Sequence, residues 1–415
     1  MNWQDIQLGE AIHVKHGFAF KGEFFASSED YMVLTPGNFF EKGGFRVREG
    51  KERFYTSDIP EAYILSPEDL IIAMTEQGDG LLGSAARISS DGKFLHNQRL
   101  GLIDECDPKL INKRFLYWLF NSPSVRAQIR STATGAKVKH IASERIYKVK
   151  VSVPPVPEQA AIAFVLDAYD DLIAANQRRI QLLEESARLL YREWFVKLRF
   201  PEHETVPVVD GVPEGWDSSR LIEIADVNSS SISVKDQLES IRYVDISSVE
   251  TGEIGDIEEI TFDEAPGRAR RKVKHGDVIW SCVRHNRRSY TLIWEPENNI
   301  IVSTGFAVLS AGSVPFSYLY FVTTTDDFVN HLTNQATGAP YPAVTAKDFE
   351  KATILRPDAE TLASFDKLVL PILEQINTIK NHNKQLKQAR DLLLPRLMSG
   401  ALDVSRIAVP REVEV

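Results

Sequence analysis

Cysteine is scarce in this 415-residue sequence, and long apolar runs are missing altogether. Cys106 and Cys282 are too few for a disulfide framework or a CxxC metal site, which favours a reducing compartment. No apolar stretch approaches the ~20 residues that a membrane helix needs. The N-terminal segment MNWQDIQLGEAI has no apolar signal core. We therefore expect a soluble, cytoplasmic protein without membrane contact.

Positive charge is also in short supply. The chain carries 58 Asp and Glu against 48 Lys and Arg, which gives a net charge of -10. An acidic chain of this kind binds nucleic acid only through a local basic patch or with a basic partner.

Compact catalytic motifs are absent as well. The sequence contains no GxGxxG, GxxxxGK[ST], HExxH or GxSxG, no Cys/His cluster, and no Asn-Pro-Pro-Phe motif of the amino-methyltransferase type. A nuclease with an unrecognised site stays an alternative, but no motif supports it. No motif in the sequence therefore supports catalysis or a metal site on this chain.

What the sequence does contain is a duplication. The tetrapeptide ATGA occurs at 133–136 and again at 336–339, an offset of 203 residues. Upstream, DLII at 69–72 matches DVIW at 277–280 at an offset of 208. A drifting offset is expected across loop insertions. The chain therefore contains two copies of one unit of about 200 residues. A unit of this length is far longer than the repeat of a solenoid protein.

Each copy combines an α+β domain with a long helix. Short β-type runs separated by Gly, Asn and Asp come first in each copy. A long helix follows, and proline residues precede its start. We predict an α+β fold in which two similar domains are joined by two long antiparallel helices. The predicted boundaries are 1–154 for the first domain, 155–200 for the central helix, 201–356 for the second domain, 357–400 for the C-terminal helix and 401–415 for a tail.

Both helices carry seam residues at alternating spacings of four and three, which is typical of a coiled coil. The first seam contains Ile162, Leu166, Tyr169, Ile173, Asn176, Ile180, Leu183, Ala187, Leu190 and Trp194. The second contains the residues 203 positions later, from Phe365 to Leu397. We predict an antiparallel register that pairs residues whose numbers add up to 559, such as Trp194 with Phe365.

Each seam contains one asparagine. The predicted register sets Asn176 against Asn383, and a buried pair of this kind fixes register at some cost in stability. We predict this pairing; the alternative is that the seam is solvated at both positions. Arg390, which the predicted register sets against Tyr169, is the poorly matched residue of the seam. It fits there if its guanidinium reaches solvent or stacks on a ring.

Two similar domains held apart by rigid helices suit an extended ligand such as duplex DNA. A basic patch supports this interpretation, since eight Lys and Arg lie between Arg268 and Tyr290 against the single acid Asp277. Arg can pair with guanine and Asn with adenine, while other bases contact phosphates. The second-copy candidates are Arg271, Lys272, Lys274, Arg284, His285, Asn286, Arg287, Arg288 and Tyr290. The alternative is a solvated charged loop.

The corresponding part of the first copy is nearly uncharged. Its candidates are polar residues of the loop at 74–87 and of three short segments elsewhere. They are Lys21, Gln77, Arg87, Asn97, Arg99, Lys137 and Lys139, of which the last two are better suited to phosphate.

The segment TGAKVKHIASERIYKVKVSVPPVPEQAAI at 134–162 resembles the junction of domain and helix in specificity subunits of type I restriction-modification systems. The match follows the pattern Pro-Pro-x-x-Glu-Gln-x-x-Ile at Pro154, Pro155, Glu158, Gln159 and Ile162. LLYREWF at 189–195 and ARDLLLPRLMSGALDV at 389–404 resemble the family's central and closing segments. The second copy departs from the pattern, because RPDAET lacks the Pro-Pro and the Gln.

The resemblance implies a DNA-binding scaffold. Two target-recognition domains read the halves of a bipartite double-stranded DNA target, and the helices set the spacer. Two methyltransferase subunits and the restriction/translocase subunits are the implied partners. S-adenosylmethionine, ATP and Mg²⁺ are expected on those partners and none on this chain. A stand-alone, two-headed DNA-binding regulator stays the alternative.

Overall fold

The computed structural model describes residues 3–48, 50–78, 80–89, 92–233, 236, 238–255, 257–284, 287–336 and 343–410. The chain divides into two compact units. The first comprises Met1–Ala175 together with Asn383–Val415, and the second comprises Asn176–His382. In the described ranges, no helix combines the length and the apolar character needed to cross a membrane.

The first unit contains thirteen described strands and three short helices, followed by the first part of a long helix. The strands are β1 (Gln4–Gln7), β2 (Ile12–His16), β3 (Phe25–Ala26), β4 (Tyr31–Val33), β5 (Phe54–Tyr55), β6 (Ile64–Leu65), β7 (Leu70–Ala73), β8 (Thr75–Glu76), β9 (Ala85–Arg87), β10 (Lys93–Leu95), β11 (Leu100–Cys106), β12 (Lys139–His140) and β13 (Lys150–Val153). The helices are α1 (Lys113–Asn121), α2 (Pro123–Ser131), α3 (Ser143–Tyr147) and α4 (Val156–Tyr191), which a π-helical turn at Arg192–Val196 extends in the second unit.

Two larger sheets build the described part of the first unit, with strand orders β3-β5-β4-β10-β6 and β2-β11-β7-β9, and β1-β13 and β12-β8 form two-stranded sheets. Strand β7 reads LIIA and is buried throughout, as expected for a strand covered on both faces. Helix α1 starts at Asn112, whose side chain accepts hydrogen bonds from two backbone N–H groups of its first turn. Aromatic residues of α1 pack with the start of α4 in one core.

The second unit contains the remaining strands and the start of the second long helix. The strands are β14 (Val208–Val209), β15 (Val212–Pro213), β16 (Asp217–Arg220), β17 (Ala225–Val227), β18 (Ser240–Val244), β19 (Val249–Glu250), β20 (Glu253–Ile254), β21 (Glu258–Thr261), β22 (Ala269–Lys272), β23 (Val278–Ser281), β24 (Tyr290–Leu292), β25 (Ile300–Ser303), β26 (Phe306–Ala311) and β27 (Thr353–Arg356). The helices are α5 (Phe316–Val322), α6 (Asp326–Gln335), α7 (Ala346–Glu350) and α8 (Ala359–Met398), whose last part belongs to the first unit.

The duplication predicted from the sequence is confirmed by the strand registers. The second unit has the sheet order β17-β26-β23-β24, which repeats β2-β11-β7-β9. Gln4 pairs with Val153 in the first unit and Asp217 with Arg356 in the second, at the offsets that the sequence predicts. The parallel pair β4 and β10 likewise recurs as β18 and β25. Both units are therefore copies of one α+β frame.

Within each unit the two long helices pack antiparallel, and in the second unit a predicted pair is in contact. In the second unit the ring centroids of Trp194 and Phe365 lie 5.9 Å apart. In the first unit Ile162 and Leu397 are both buried in the same core. The start of one helix therefore packs with the end of the other inside each unit, as an antiparallel seam requires.

Two polar seam residues are accommodated in the first unit. Arg390 forms ion pairs with Asp170 and Asp391, and its guanidinium lies 6.0 Å from the ring centroid of Trp118. Asn383 is buried, and its amide nitrogen donates to the carbonyl of Ile173 at 3.4 Å. Burial contradicts a solvated seam at Asn383. Its predicted pairing with Asn176 joins residues of different units and stays a prediction.

Candidate nucleic-acid interface

Two loops of the first unit lie side by side at the candidate interface. Strands β8 and β12 pair antiparallel, with Lys139 opposite Glu76. Gln77 follows β8 directly and is exposed, as is Lys137 in the loop that precedes β12. The structure therefore brings together three of the predicted DNA contacts of this copy.

The glycine of the first ATGA segment shapes one of these loops. Thr134 and His140 exchange backbone hydrogen bonds of 2.9 and 2.7 Å, which closes the loop between them. Gly135 has a φ of +105°, and a Cβ there would lie 2.0 Å from the carbonyl oxygen of Val138. Only glycine fits this position. The corresponding Gly338 lies outside the described residues.

Arg99 joins the same neighbourhood, whereas Asn97 does not. The backbone N–H of Met74, just before β8, donates to the carbonyl of Arg99 at 3.0 Å, and the Arg99 side chain is exposed. Asn97 is only 6% exposed, and its side chain accepts from the N–H of Arg99 at 3.0 Å. Its prediction as a DNA contact is therefore wrong, because its amide shapes the turn. Lys21 is exposed before the turn at Gly22–Phe24.

Arg87 is also a structural residue, so its prediction as a DNA contact is wrong. Its guanidinium donates to Asp167 on α4 at 2.6 Å and lies 4.4 Å from the ring centroid of Tyr117. Asp167 is 3% exposed and also accepts from Arg114 at 2.8 Å and from the Trp118 indole at 2.7 Å. A guanidinium held by a buried carboxylate and a ring is not available to a nucleic acid.

The second unit repeats the hydrogen bonds that frame the first loop. The carbonyl of Cys282 accepts from the N–H of Val344 at 2.9 Å, and the N–H of Cys282 donates to Gly305 at 2.8 Å. Met74 makes both bonds at the corresponding place in the first copy. The frame is conserved between the copies while the side chains on it differ.

A strained loop occupies this frame in the second unit. Arg284 takes the place of Glu76 and has a φ of +53°, a region that residues with a side chain rarely adopt. Such strain often marks functional sites. Its carbonyl accepts from the N–H of Arg287 at 2.8 Å, and the Arg287 side chain is exposed. His285 and Asn286 lie outside the described residues.

Arg288 closes the loop with a second left-handed backbone, at a φ of +54°. Its side chain is ion-paired with the exposed carboxylate of Asp326 at the start of α6. This contact lowers the pKa of Asp326. Thr251 donates to the Arg288 carbonyl at 2.9 Å. A phosphate can replace an exposed carboxylate partner, so Arg288 stays a candidate contact.

Tyr290 is a core residue, and its prediction as a DNA contact is wrong. It is 1% exposed, and its ring centroid lies 4.5 Å from that of Trp280. Its hydroxyl accepts from the guanidinium of Arg188 on α4 at 3.1 Å. The ring therefore fastens strand β24 to the long helix and cannot reach a bound duplex.

The basic segment along β22 is partly neutralised. Lys272 is ion-paired with Asp236, and this contact lowers the pKa of Asp236. Arg271 is half-buried, whereas Lys274 is exposed. Of the three predicted contacts here, Lys274 presents its charge most openly to a ligand.

Comparisons with known proteins found a family model, relatives in sequence and solved structures that are similar to this chain. The family model of the type I restriction modification DNA specificity domain matches residues 1–185. The type I restriction enzyme MjaIX specificity subunit of Methanocaldococcus jannaschii is 24% identical, over 71% of this chain and 70% of its own length. The type I restriction enzyme EcoBI specificity subunit of Escherichia coli is 25% identical, over 68% of this chain and 60% of its own length. The S subunit of a type I restriction-modification system from M. genitalium, known from a crystal structure, is 16% identical over 96% of each chain with a TM-score of 0.58, which shows a shared fold.

Residues 1–185 therefore resemble a type I restriction modification DNA specificity domain.

Within residues 1–185, sequence reasoning missed the residues that hold the candidate loop. Arg126 on α2 is 7% exposed and donates to the carbonyls of Leu82 at 3.0 Å, Glu41 at 2.9 Å and Gly80. Burial lowers its pKa to about 10, so it stays charged at neutral pH. An arginine on a short amphipathic helix is expected to be a surface residue. The sequence around Arg126 gives no sign that its side chain binds the carbonyls of the loop.

The described part of the chain contains no cluster of three or more His, Cys, Asp or Glu that could hold a metal ion. Burial raises the pKa of the Cys282 thiol to about 11. The thiolate is therefore scarce at neutral pH, which makes nucleophilic chemistry at this position unfavourable.

Proposed function

We propose that this chain is the DNA sequence-recognition subunit of a type I restriction-modification enzyme. It reads an asymmetric bipartite target, with one half for each unit, and it has no catalytic activity of its own. The observation that carries this proposal is the repeated hydrogen-bond frame at Met74 and Cys282, which presents different side chains in the two copies. One frame with two sets of contacts suits one ligand with two unlike half-sites.

Exposed basic residues support DNA as that ligand. Arg99, Lys137 and Lys139 flank the first loop, while Arg287 and Lys274 lie near the second. Contacts of this type to phosphates are sequence-independent, so the reading of bases falls to the loop tips. The net charge of -10 implies that partner subunits contribute to neutralising the DNA.

The long helices carry an equivalent apolar residue in each copy. Leu189 is 42% exposed and Leu392, at the offset of 203, is 71% exposed. The same side chain at both repeat positions fits two copies of one partner. We assign this role to two methyltransferase subunits, which hold S-adenosylmethionine, with restriction subunits supplying the ATP- and Mg²⁺-dependent steps.

The proposal is tested by co-expressing the chain with its neighbouring methyltransferase subunit in a host free of DNA methylation. Mapping N6-methyladenine across the genome should reveal one split, asymmetric motif that disappears when this chain is omitted. Specific DNA binding by the purified chain alone, with no methylation by a soluble complex, would instead identify a stand-alone regulator.

A further inference from the structure

The loop from Gln77 to Leu82 is held by two buried charges of opposite sign. The carboxylate of Glu76, 3% exposed, accepts from the N–H groups of Gly80 at 3.1 Å and Leu82 at 2.7 Å. The guanidinium of Arg126 donates to the carbonyls of the same two residues. Each of the two residues is therefore held through both its N–H and its C=O.

Burying these charges is expensive, and polar contacts offset part of the cost, although Oε1 of Glu76 accepts no hydrogen bond. Arg126 reaches a third carbonyl, that of Glu41, at 2.9 Å, and the ammonium of Lys139 lies 3.8 Å from the Glu76 carboxylate. Gly80 has a φ of +128°, and a Cβ there would lie 2.7 Å from the carboxyl carbon of Glu41. The backbone of this loop is thus closely held at Gly80 and Leu82.

On the described part of this loop, Gln77 presents an exposed side chain that can read a base. Gln77 lies between the buried Glu76 and the open Gly78, where a Cβ would meet nothing within 4 Å. A glutamine amide carries one donor and one acceptor side, which match N7 and N6 of adenine in the major groove. Lys137 and Lys139 flank it and suit the adjoining phosphates.

We propose that Gln77 reads an adenine in the first half of the DNA target and that Glu76 and Arg126 are the positioning residues that set its reach. The inference rests on the proposed function. In the second copy Arg284 stands where Glu76 stands, so this clamp belongs to the first half-site alone.

The experiment uses the complex with its methyltransferase subunits and a panel of duplexes carrying each of the four base pairs at every position of the mapped motif. Gln77→Ala should lower discrimination at one A·T pair of the first half by about tenfold. Glu76→Gln and Arg126→Lys should lower discrimination at the same base pair by several-fold and leave discrimination in the second half of the target unchanged. Arg130→Ala, an exposed arginine on the same helix, is the matched control and should leave both halves unchanged.

Because Gln77 is exposed, its substitution leaves the fold intact, and thermal unfolding of each complex checks this. Unchanged discrimination in Gln77→Ala overturns the inference even where the wild-type complex recognises a split motif. Equal relaxation of both halves in Glu76→Gln also overturns it, since that marks a general loss of structure. A wild-type complex without any split motif defeats the proposed function and the inference with it.

Discussion

Asp167 shows how single charged residues fasten the first domain to its helix. Its carboxylate, 3% exposed, accepts from two guanidinium groups and one indole that come from β9 and α1. Breaking a buried charge of this kind by removing one partner is strongly destabilising. Asp167 therefore adds polar contacts to the apolar packing that joins β9 and α1 to α4.

His96 provides a test of stability at the same scale. It is fully buried, and burial lowers its pKa to about 4, with Lys15 and His16 adding to the effect and Leu100 and Asp104 opposing it. In the unfolded chain the His96 ring takes up a proton near pH 6.5, whereas in the folded chain the ring stays neutral down to about pH 4. The contribution of the neutral His96 ring to the free energy of unfolding is thus complete above pH 6.5 and is lost as the pH falls towards 4.

The expected loss is about 3 kcal/mol in the free energy of unfolding of the first unit. Urea denaturation at pH 8, 6 and 4.5 should show His96→Gln losing less stability on acidification than the wild type, because glutamine does not titrate. Equal pH dependence in the two proteins would refute the assignment. His203→Gln, at a half-buried histidine of the other unit, is the control.

The location of the candidate loops could be predicted from the sequence, but the role of each side chain could not. The repeated ATGA segment marks a glycine whose backbone conformation is required, so local pattern suffices there. The predictions for Arg87 and Tyr290 failed because each side chain is held by a distant partner. Asp167 lies 80 residues from Arg87 along the chain, and Arg188 lies 102 residues from Tyr290. Contacts between residues so far apart leave no local pattern.

At the scale of elements, the long helices are the best-predicted part of the fold. A seam with spacings of four and three specifies which face of each helix is buried, and two-fold symmetry then leaves a single register. The contact of Trp194 with Phe365 confirms that register in the second unit. The π-helical turn at Arg192–Val196 was not foreseen, since its aromatic residues also fit an α-helix.

Cysteine cross-linking tests the register further along the seam of the second unit. After replacement of Cys106 and Cys282, the pair Ile180→Cys and Ile379→Cys should oxidise to an intramolecular disulfide, because the register brings their Cβ atoms close enough. Non-reducing electrophoresis and thiol counting measure the outcome. The pair Ile180→Cys and Ile372→Cys, one heptad out of register, should stay reduced. The opposite pattern would exclude the register.

At the scale of the whole molecule, two domains joined by two long helices should set the spacing of the DNA half-sites. Seven residues inserted between Asn176 and Gln177, and seven between His382 and Asn383, preserve every predicted seam pair. Two added turns lengthen each helix by about 10 Å, which corresponds to a spacer longer by about three base pairs from rise alone.

Mapping the methylated motif of this double insertion should show both half-sites unchanged and a longer spacer between them. Insertion into one helix alone is the control, and it should abolish methylation because it breaks the seam pairs. An unchanged spacer in the double insertion would show that the helices do not measure the separation.

The first unit is assembled from both ends of the chain, whereas the second is one continuous segment. On the ribosome, the first unit is therefore begun first and finished last. At a synthesis rate of ~5–20 residues per second, about 10–40 s pass between Ala175 and Asn383. During that interval the apolar side of α4 around Ile162 and Leu166 awaits the segment of Leu397 that completes its core. Newly made chains are therefore expected to pass through a stage in which the apolar side of α4 in the first unit is still uncovered, although all residues of the second unit have been synthesised.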